Sequence, residues 1–121
     1  MITGIGADLI EIHRVVRACE KKHFLERCYT EQEIELIRQD KTKAADNFAV
    51  KEAVAKMFGT GFRGFGLAEI EVLRDPSGKP FVNLYGKAAE LARQQHIVKI
   101  HVTISNTREF SSAFAVGEAD L

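Results

Sequence analysis

The stretch from Phe48 to Gly61, FAVKEAVAKMFGTG, constrains this chain more than any other. Laid out as a helix it is apolar on almost every side: Phe48, Val50, Val54, Met57 and Phe58, with Ala49, Ala53 and Ala55 between them. A helix that is apolar all round belongs inside a fold, with other elements wrapped over it. It nevertheless carries Lys51, Glu52 and Lys56. Glu52 and Lys56 project from one face, flanked by Phe48, Ala49 and Ala55. Charges in such surroundings lose hydration unless something compensates them. The spacing is equally compatible with an i,i+4 ion pair and with a metal-binding carboxylate beside a phosphate-binding lysine. Gly59-Thr60-Gly61 then closes the helix with two residues able to adopt positive φ and let a ligand approach backbone N–H groups. On its own, such a sequence is also a plain helix cap.

The second acidic element is N-terminal. Met1 to Glu11, MITGIGADLIE, reads as a short apolar strand punctuated by Gly4 and Gly6, with Asp8 and Glu11 at its end. An acidic residue there is either a helix cap or a ligand. Leu9 to Lys22 is predicted to be helical, with Leu9, Ile12, Val16 and Cys19 forming its apolar stripe. Its other side carries Arg14, Arg17 and Lys21, with only Glu11 and Glu20 near them. Such a basic stripe is either a solvated face or a docking face for an acidic partner. His23 to Cys28 makes another helical turn, and Thr30-Glu31-Gln32-Glu33 spells a capping box that opens a helix to about Gln39. That sets Thr30 and Glu33 down as architectural. The chain restarts at Thr42 or Lys43 into the central helix.

Beyond it, Glu69 to Leu73 and Phe81 to Leu84 flank a turn at Asp75-Pro76-Ser77-Gly78. Tyr85 to Gln95 has helical composition, Val98, Ile100, Val102 and Ile104 alternate as a half-buried strand, and Ser111 to Glu118 forms the last strand. The fold class is α+β, an antiparallel sheet packed around a long buried helix. A length of 121 residues implies one domain, 1–121. Lysine plus arginine number 17 and aspartate plus glutamate 17, so no global charge favours nucleic acid or an anionic membrane. Neither a signal peptide nor a bilayer-spanning run is present, and Cys19 and Cys28 lack metal-ligand spacing. Free thiols in the cytoplasm are expected.

GIGADLIEIHR and KEAVAKMFGTG stand in order with Arg27-Cys28-Tyr29-Thr30, Glu33, Gly78-Lys79-Pro80, the strand HVTIS and Asn106-Thr107. This series covers nearly the whole chain and resembles the holo-acyl-carrier-protein synthase family, the small type of 4′-phosphopantetheinyl transferase. The resemblance implies that family's fold and a Mg²⁺-dependent reaction. The 4′-phosphopantetheine arm of coenzyme A moves to a serine of apo-acyl carrier protein, releasing adenosine 3′,5′-bisphosphate. It also implies a role in fatty acid and lipid metabolism, and a homotrimer with its site at subunit contacts. Asp8 and Glu52 match the family's metal ligands and, with Lys56, its catalytic set. Lys51, Lys56, Gly59, Thr60, Gly61, Pro80, Asn106 and Thr107 match positions around coenzyme A. Arg14, Arg17 and Lys21 are the expected docking face for the acidic carrier.

The chemistry suits these residue types. Cleaving a pyrophosphate builds negative charge on its oxygens, so catalysis consists of positioning and neutralisation. Mg²⁺ is commonly held by one or two carboxylates, with water and phosphate completing its shell. Two departures stand out. The family commonly has histidine where this chain has Asn106, and often arginine where it has Asn47. Both would be cations near the nucleotide. The competing reading is a diverged, non-catalytic carrier-protein-binding paralogue, favoured by Asn47 and Asn106 and opposed by the joint presence of Asp8, Glu52 and Lys56.

Overall fold

The computed structural model describes residues 1–120. Strand β1 (Ile2–Glu11) leads into three short helices, α1 (Ile12–Ala18), α2 (Lys22–Cys28) and α3 (Glu31–Gln39), and then the long α4 (Thr42–Phe58). A hairpin of β2 (Ile70–Arg74) and β3 (Pro80–Leu84) follows, then α5 (Gly86–Gln94), β4 (Ile97–Asn106) and β5 (Phe110–Ala119). Strands β1, β5 and β4 form an antiparallel sheet in that order. Helix α4 lies across one face of it, with α1, α3 and β2 against its other sides. The expectation from an all-round apolar helix is met: Ala49, Val50, Ala53 and Val54 are fully buried. Each enclosed valine contributes roughly 1.5–3 kcal/mol.

Two glycines decide how closely helix and sheet approach. A Cβ at Gly4 would collide with the carbonyl oxygen of Met57, and one at Gly6 with that of Ala53. Backbone therefore packs directly on backbone. Because strand side chains alternate, the next residue on that face is Asp8. The sequence thus sets a carboxylate against α4.

Several expected boundaries move. The helix predicted over Leu9 to Lys22 begins only at Ile12 and breaks after Ala18. Strand β1 continues to Glu11 because it stays paired with β5 as far as Phe110, and the N–H of Ile12 donates to Glu109 O. Leu9 consequently stands on the outer sheet face, 65% exposed, and Val15 takes its expected place in the core with Ile12. Val98 is also exposed, since a register shift between Ile97 and Lys99 turns it outward. The capping box forms as predicted: Thr30 Oγ1 accepts from Glu33 N, and Glu33 Oε1 from Thr30 N. Among the described residues, no helix is long and apolar enough to cross a membrane.

Candidate active site

Three of the expected catalytic residues converge. Asp8 points from β1 toward α4, where Lys56 Nζ lies 3.0 Å from Asp8 Oδ1 and donates to Ala7 O at 3.1 Å. Glu52, one turn earlier on α4, is half-buried on the same side. Burial pushes its carboxyl up, Asp8 pushes it further, and Lys56 opposes both. The Asp8 carboxylate thus disfavours charge on Glu52, which is the electrostatic condition a divalent cation relieves. The i,i+4 pair between Glu52 and Lys56 is not the one that forms, because Lys56 reaches Asp8 across to the sheet. Among the described residues no three His, Cys, Asp or Glu side chains converge. A metal here would draw on Asp8 and Glu52 alone, an all-oxygen set that fits a hard ion such as Mg²⁺ with water and phosphate completing its shell.

Lys51 departs from expectation. It cannot touch a cosubstrate, because it is fully buried and spends its ammonium hydrogens on Glu33 Oε1 (2.8 Å), Leu67 O and Ile70 O. Glu33 in turn accepts from Thr30 N, Asn47 Nδ2, Lys51 and Val72 N. Burial pushes the Glu33 carboxyl up and the Lys51 ammonium down, and each partner counters the shift of the other. With four donors on Glu33, the charged pair is the state this geometry serves. The capping-box motif identifies Glu33 as a cap; its partner 18 residues away leaves no sequence signal.

The glycine cap behaves mainly as a cap. Gly59 adopts φ 82° and Gly61 φ 60°, and their N–H groups return to Lys56 O and Ala55 O. Two of the N–H groups expected to face a ligand are thereby committed. Asn106 donates to Asp46 Oδ1 at 2.9 Å, an atom that also accepts from Ser111 Oγ at 2.7 Å. Thr107 Oγ1 receives the N–H groups of Glu109 and Phe110 and so closes the β4–β5 turn. Asn47, expected near the nucleotide, is fully buried; its amide donates to Glu33 and Val72 O and accepts from Arg74. Asp46, Asn47 and Arg74 thus belong to one polar neighbourhood that sequence reading did not assemble.

Pro80 sits elsewhere. With Asp75, Lys79 and Phe81 it forms one wall of a cavity of about 300 Å³, opposite Lys99, Ile100, His101 and Val102 of β4. Asp8 lies on β1 and this groove against β4, at opposite edges of a sheet whose strands are spaced about 4.8 Å apart. One chain does not bring them together. Arg14 and Arg17 are exposed on α1, and Lys21 precedes α2. Arg14 borders an apolar cleft of about 430 Å³ that includes Leu9, Ile10, Phe24, Phe48 and Phe110.

Known proteins resemble this chain over nearly its whole length. Residues 4–115 match the family model of the 4′-phosphopantetheinyl transferase superfamily. The holo-[acyl-carrier-protein] synthase of Lachnoclostridium phytofermentans is 62% identical over 118 residues, covering 98% of this chain and 97% of that protein. An acyl carrier protein synthase from Plasmodium yoelii, solved with ADP bound, superimposes with a TM-score of 0.88 at 30% identity, covering 100% of this chain and 98% of that one. The holo-(acyl-carrier-protein) synthase of Bacillus anthracis, in complex with CoA (3′,5′-ADP), gives 0.81 at 32% identity, with 99% of each chain covered. The chain belongs to the 4′-phosphopantetheinyl transferase superfamily, among its holo-[acyl-carrier-protein] synthases.

Proposed function

We propose that this chain, acting as one domain, transfers the 4′-phosphopantetheine arm of coenzyme A to a serine of apo-acyl carrier protein and releases adenosine 3′,5′-bisphosphate. The observation that carries this reading is the meeting of Asp8, Glu52 and Lys56 at the β1–α4 contact. Asp8 and Glu52 would hold Mg²⁺, which when bound supplies a positive centre that neutralises charge developing on the pyrophosphate. Lys56 keeps part of its donor capacity and is more than half exposed, so it can also hold a phosphate oxygen. Glu52 is the protein carboxylate at this contact that would take the serine proton. Arg14, Arg17 and Lys21 would dock the carrier beside the apolar cleft of Phe24 and Phe48, and the cations Lys79 and Lys99 suit the nucleotide end of coenzyme A.

The separation of the Pro80 groove from Asp8 favours a site shared between copies. A head-to-tail contact would set the β1 edge of one copy near the β4 edge of the next, and such a contact closes into a ring. The outer sheet face supplies apolar surface for it, with Ile5 72% and Phe114 55% exposed. We read the assembly as a homotrimer; sedimentation at several concentrations tests it, and a persistent monomer overturns it. Two free thiols, Cys19 and Cys28, suit a reducing cytoplasm. Incubation with magnesium, coenzyme A and apo carrier protein, read by carrier mass, tests the reaction itself. The expected result is a carrier heavier by one phosphopantetheine. Carrier binding without a mass change would instead mark a non-catalytic paralogue.

A further inference from the structure

Near its tip the β2–β3 hairpin is hydrogen-bonded to the body of the protein by one side chain. Its turn is closed internally, with Asp75 Oδ1 accepting from Ser77 N, Ser77 Oγ and Lys79 N. Among the described residues, the one hydrogen bond from residues 74–81 to a residue outside the hairpin runs from Arg74 Nη2 to Asn47 Oδ1, at 2.8 Å. Arg74 is the last residue of β2 and pairs in register with Pro80, the first of β3. Asn47 is fully buried and anchored on both sides, donating to Glu33 Oε2 at 3.0 Å and to Val72 O at 2.9 Å. Glu33 is fixed in turn by Lys51. The contact to the hairpin tip therefore ends on a rigid part of α4.

We propose that Arg74 is a positioning residue for coenzyme A: its bond to Asn47 holds Pro80 and Lys79 at the distance from β4 that the nucleotide requires. The inference rests on the reading that the nucleotide end of coenzyme A occupies the groove between the hairpin and Lys99–Val102. It also gives Asn47 a purpose. A neutral amide oxygen accepts a guanidinium, whereas an arginine at position 47 would set two guanidiniums against each other. In this chain the cation enters the neighbourhood from β2 rather than from α4.

The test is calorimetric titration of coenzyme A into the wild type, Arg74→Met, Arg74→Lys, Asn47→Arg and the double variant Asn47→Arg/Arg74→Met, with hydrogen exchange of residues 75–80 followed in each. Arg74→Met is expected to weaken coenzyme A binding about tenfold, the scale of one hydrogen bond to a charged group. The Michaelis constant for coenzyme A should rise in step, while kcat and the carrier's constant stay within about twofold, because hairpin placement affects binding rather than the reacting groups. Hairpin amides should exchange faster, and Arg74→Lys should recover part of the loss. Asn47→Arg should impair binding alone and be relieved by the added Arg74→Met. Equal affinity and equal exchange in Arg74→Met and wild type would overturn the proposal. So would a loss shared by kcat, both Michaelis constants and melting temperature, which would mean general destabilisation. A wild type that binds no coenzyme A would instead fail the functional reading, and faster exchange in Arg74→Met would still support the clasp.

Discussion

Helix α4 carries two lysines, each facing a carboxylate from another element, and the two pairs live under opposite conditions. Lys51 and Glu33 have side chains at 0% exposure; Lys56 and Asp8 retain 54% and 16%. The closed pair has its bonding capacity spent, on Glu33 and two carbonyls from the lysine and on four donors to the glutamate. It can join α3, α4 and β2 but has nothing left for a ligand. The open pair is incomplete by comparison, and a third charge, Glu52, sits beside it. Chemistry collects where coordination is left unfinished, and architecture where it is finished. Desolvation offsets much of the Coulombic gain of the closed pair, so its contribution lies more in fixing the arrangement than in raw stability.

The contrast breaks most sharply at the open site. Asp8→Ala or Glu52→Ala should abolish transfer, read by carrier mass, and Glu52→Ala should do so without lowering the melting temperature, since it removes the charge that Asp8 opposes. Full activity in either variant, or activity in excess chelator, would remove the metal assignment.

At the closed site the effect should fall on stability. Lys51→Met leaves Glu33 enclosed without its counter-charge and should cost about 3–5 kcal/mol in chemical denaturation. Adding Glu33→Gln should recover most of that loss. The single variant also acquires a pH signature. Burial already raises the folded-state pKa of Glu33, and loss of the lysine raises it further. The protonated form then stabilises the fold at low pH, and this contribution disappears as pH rises through the folded pKa. Lys51→Met should accordingly be closer to wild type at pH 5 than at pH 8. A loss independent of pH would mean that the pair is not charged in the native protein.

A smaller effect is expected on the exposed stripe. Arg14→Glu with Lys21→Glu should raise the carrier's Michaelis constant about fivefold, the scale of one or two exposed ion pairs, and that of coenzyme A less. The difference should shrink as salt is added, because screening acts over about 8 Å at physiological ionic strength. A carrier constant indifferent to charge and salt would reduce the stripe to a solvated face. Least of all should happen at Asn106→His. Its amide already serves Asp46, so coenzyme A affinity should change less than about twofold at pH 6 and at pH 8. A gain confined to pH 6 would return the position to the nucleotide site.

What the sequence made legible was local, except where family motifs joined Asp8 to Glu52 and Lys56. The buried helix, the capping box, the Asp75–Gly78 turn and the placement of Asp8 near Glu52 and Lys56 follow from periodicity, turn chemistry and family motifs. Apolar pattern misled where an apolar residue stays outside: Leu9 looked like a helix residue because its exposure on the sheet could not be read. Val98 failed for a related reason, as a register shift is a property of two strands together. Asn47 with Arg74, and Glu33 with Lys51, join elements far apart in the chain. No window of residues contains both halves, so the sequence alone points Lys51 at a ligand it does not reach.

The glycines of β1 extend the site's reach in a different currency, that of distance. Gly4 and Gly6 touch nothing reactive, yet they set the gap between two backbones, and the separation of Asp8 from Glu52 and Lys56 is inherited from that gap. Reacting groups held about 1 Å out of place can lose two orders of magnitude in rate. A methyl group added at Gly6 would therefore act as a spacer that forces the two backbones apart, and turnover would be lost along with packing. Positions that look like packing detail are, for this enzyme, the gauge to which its chemistry is cut.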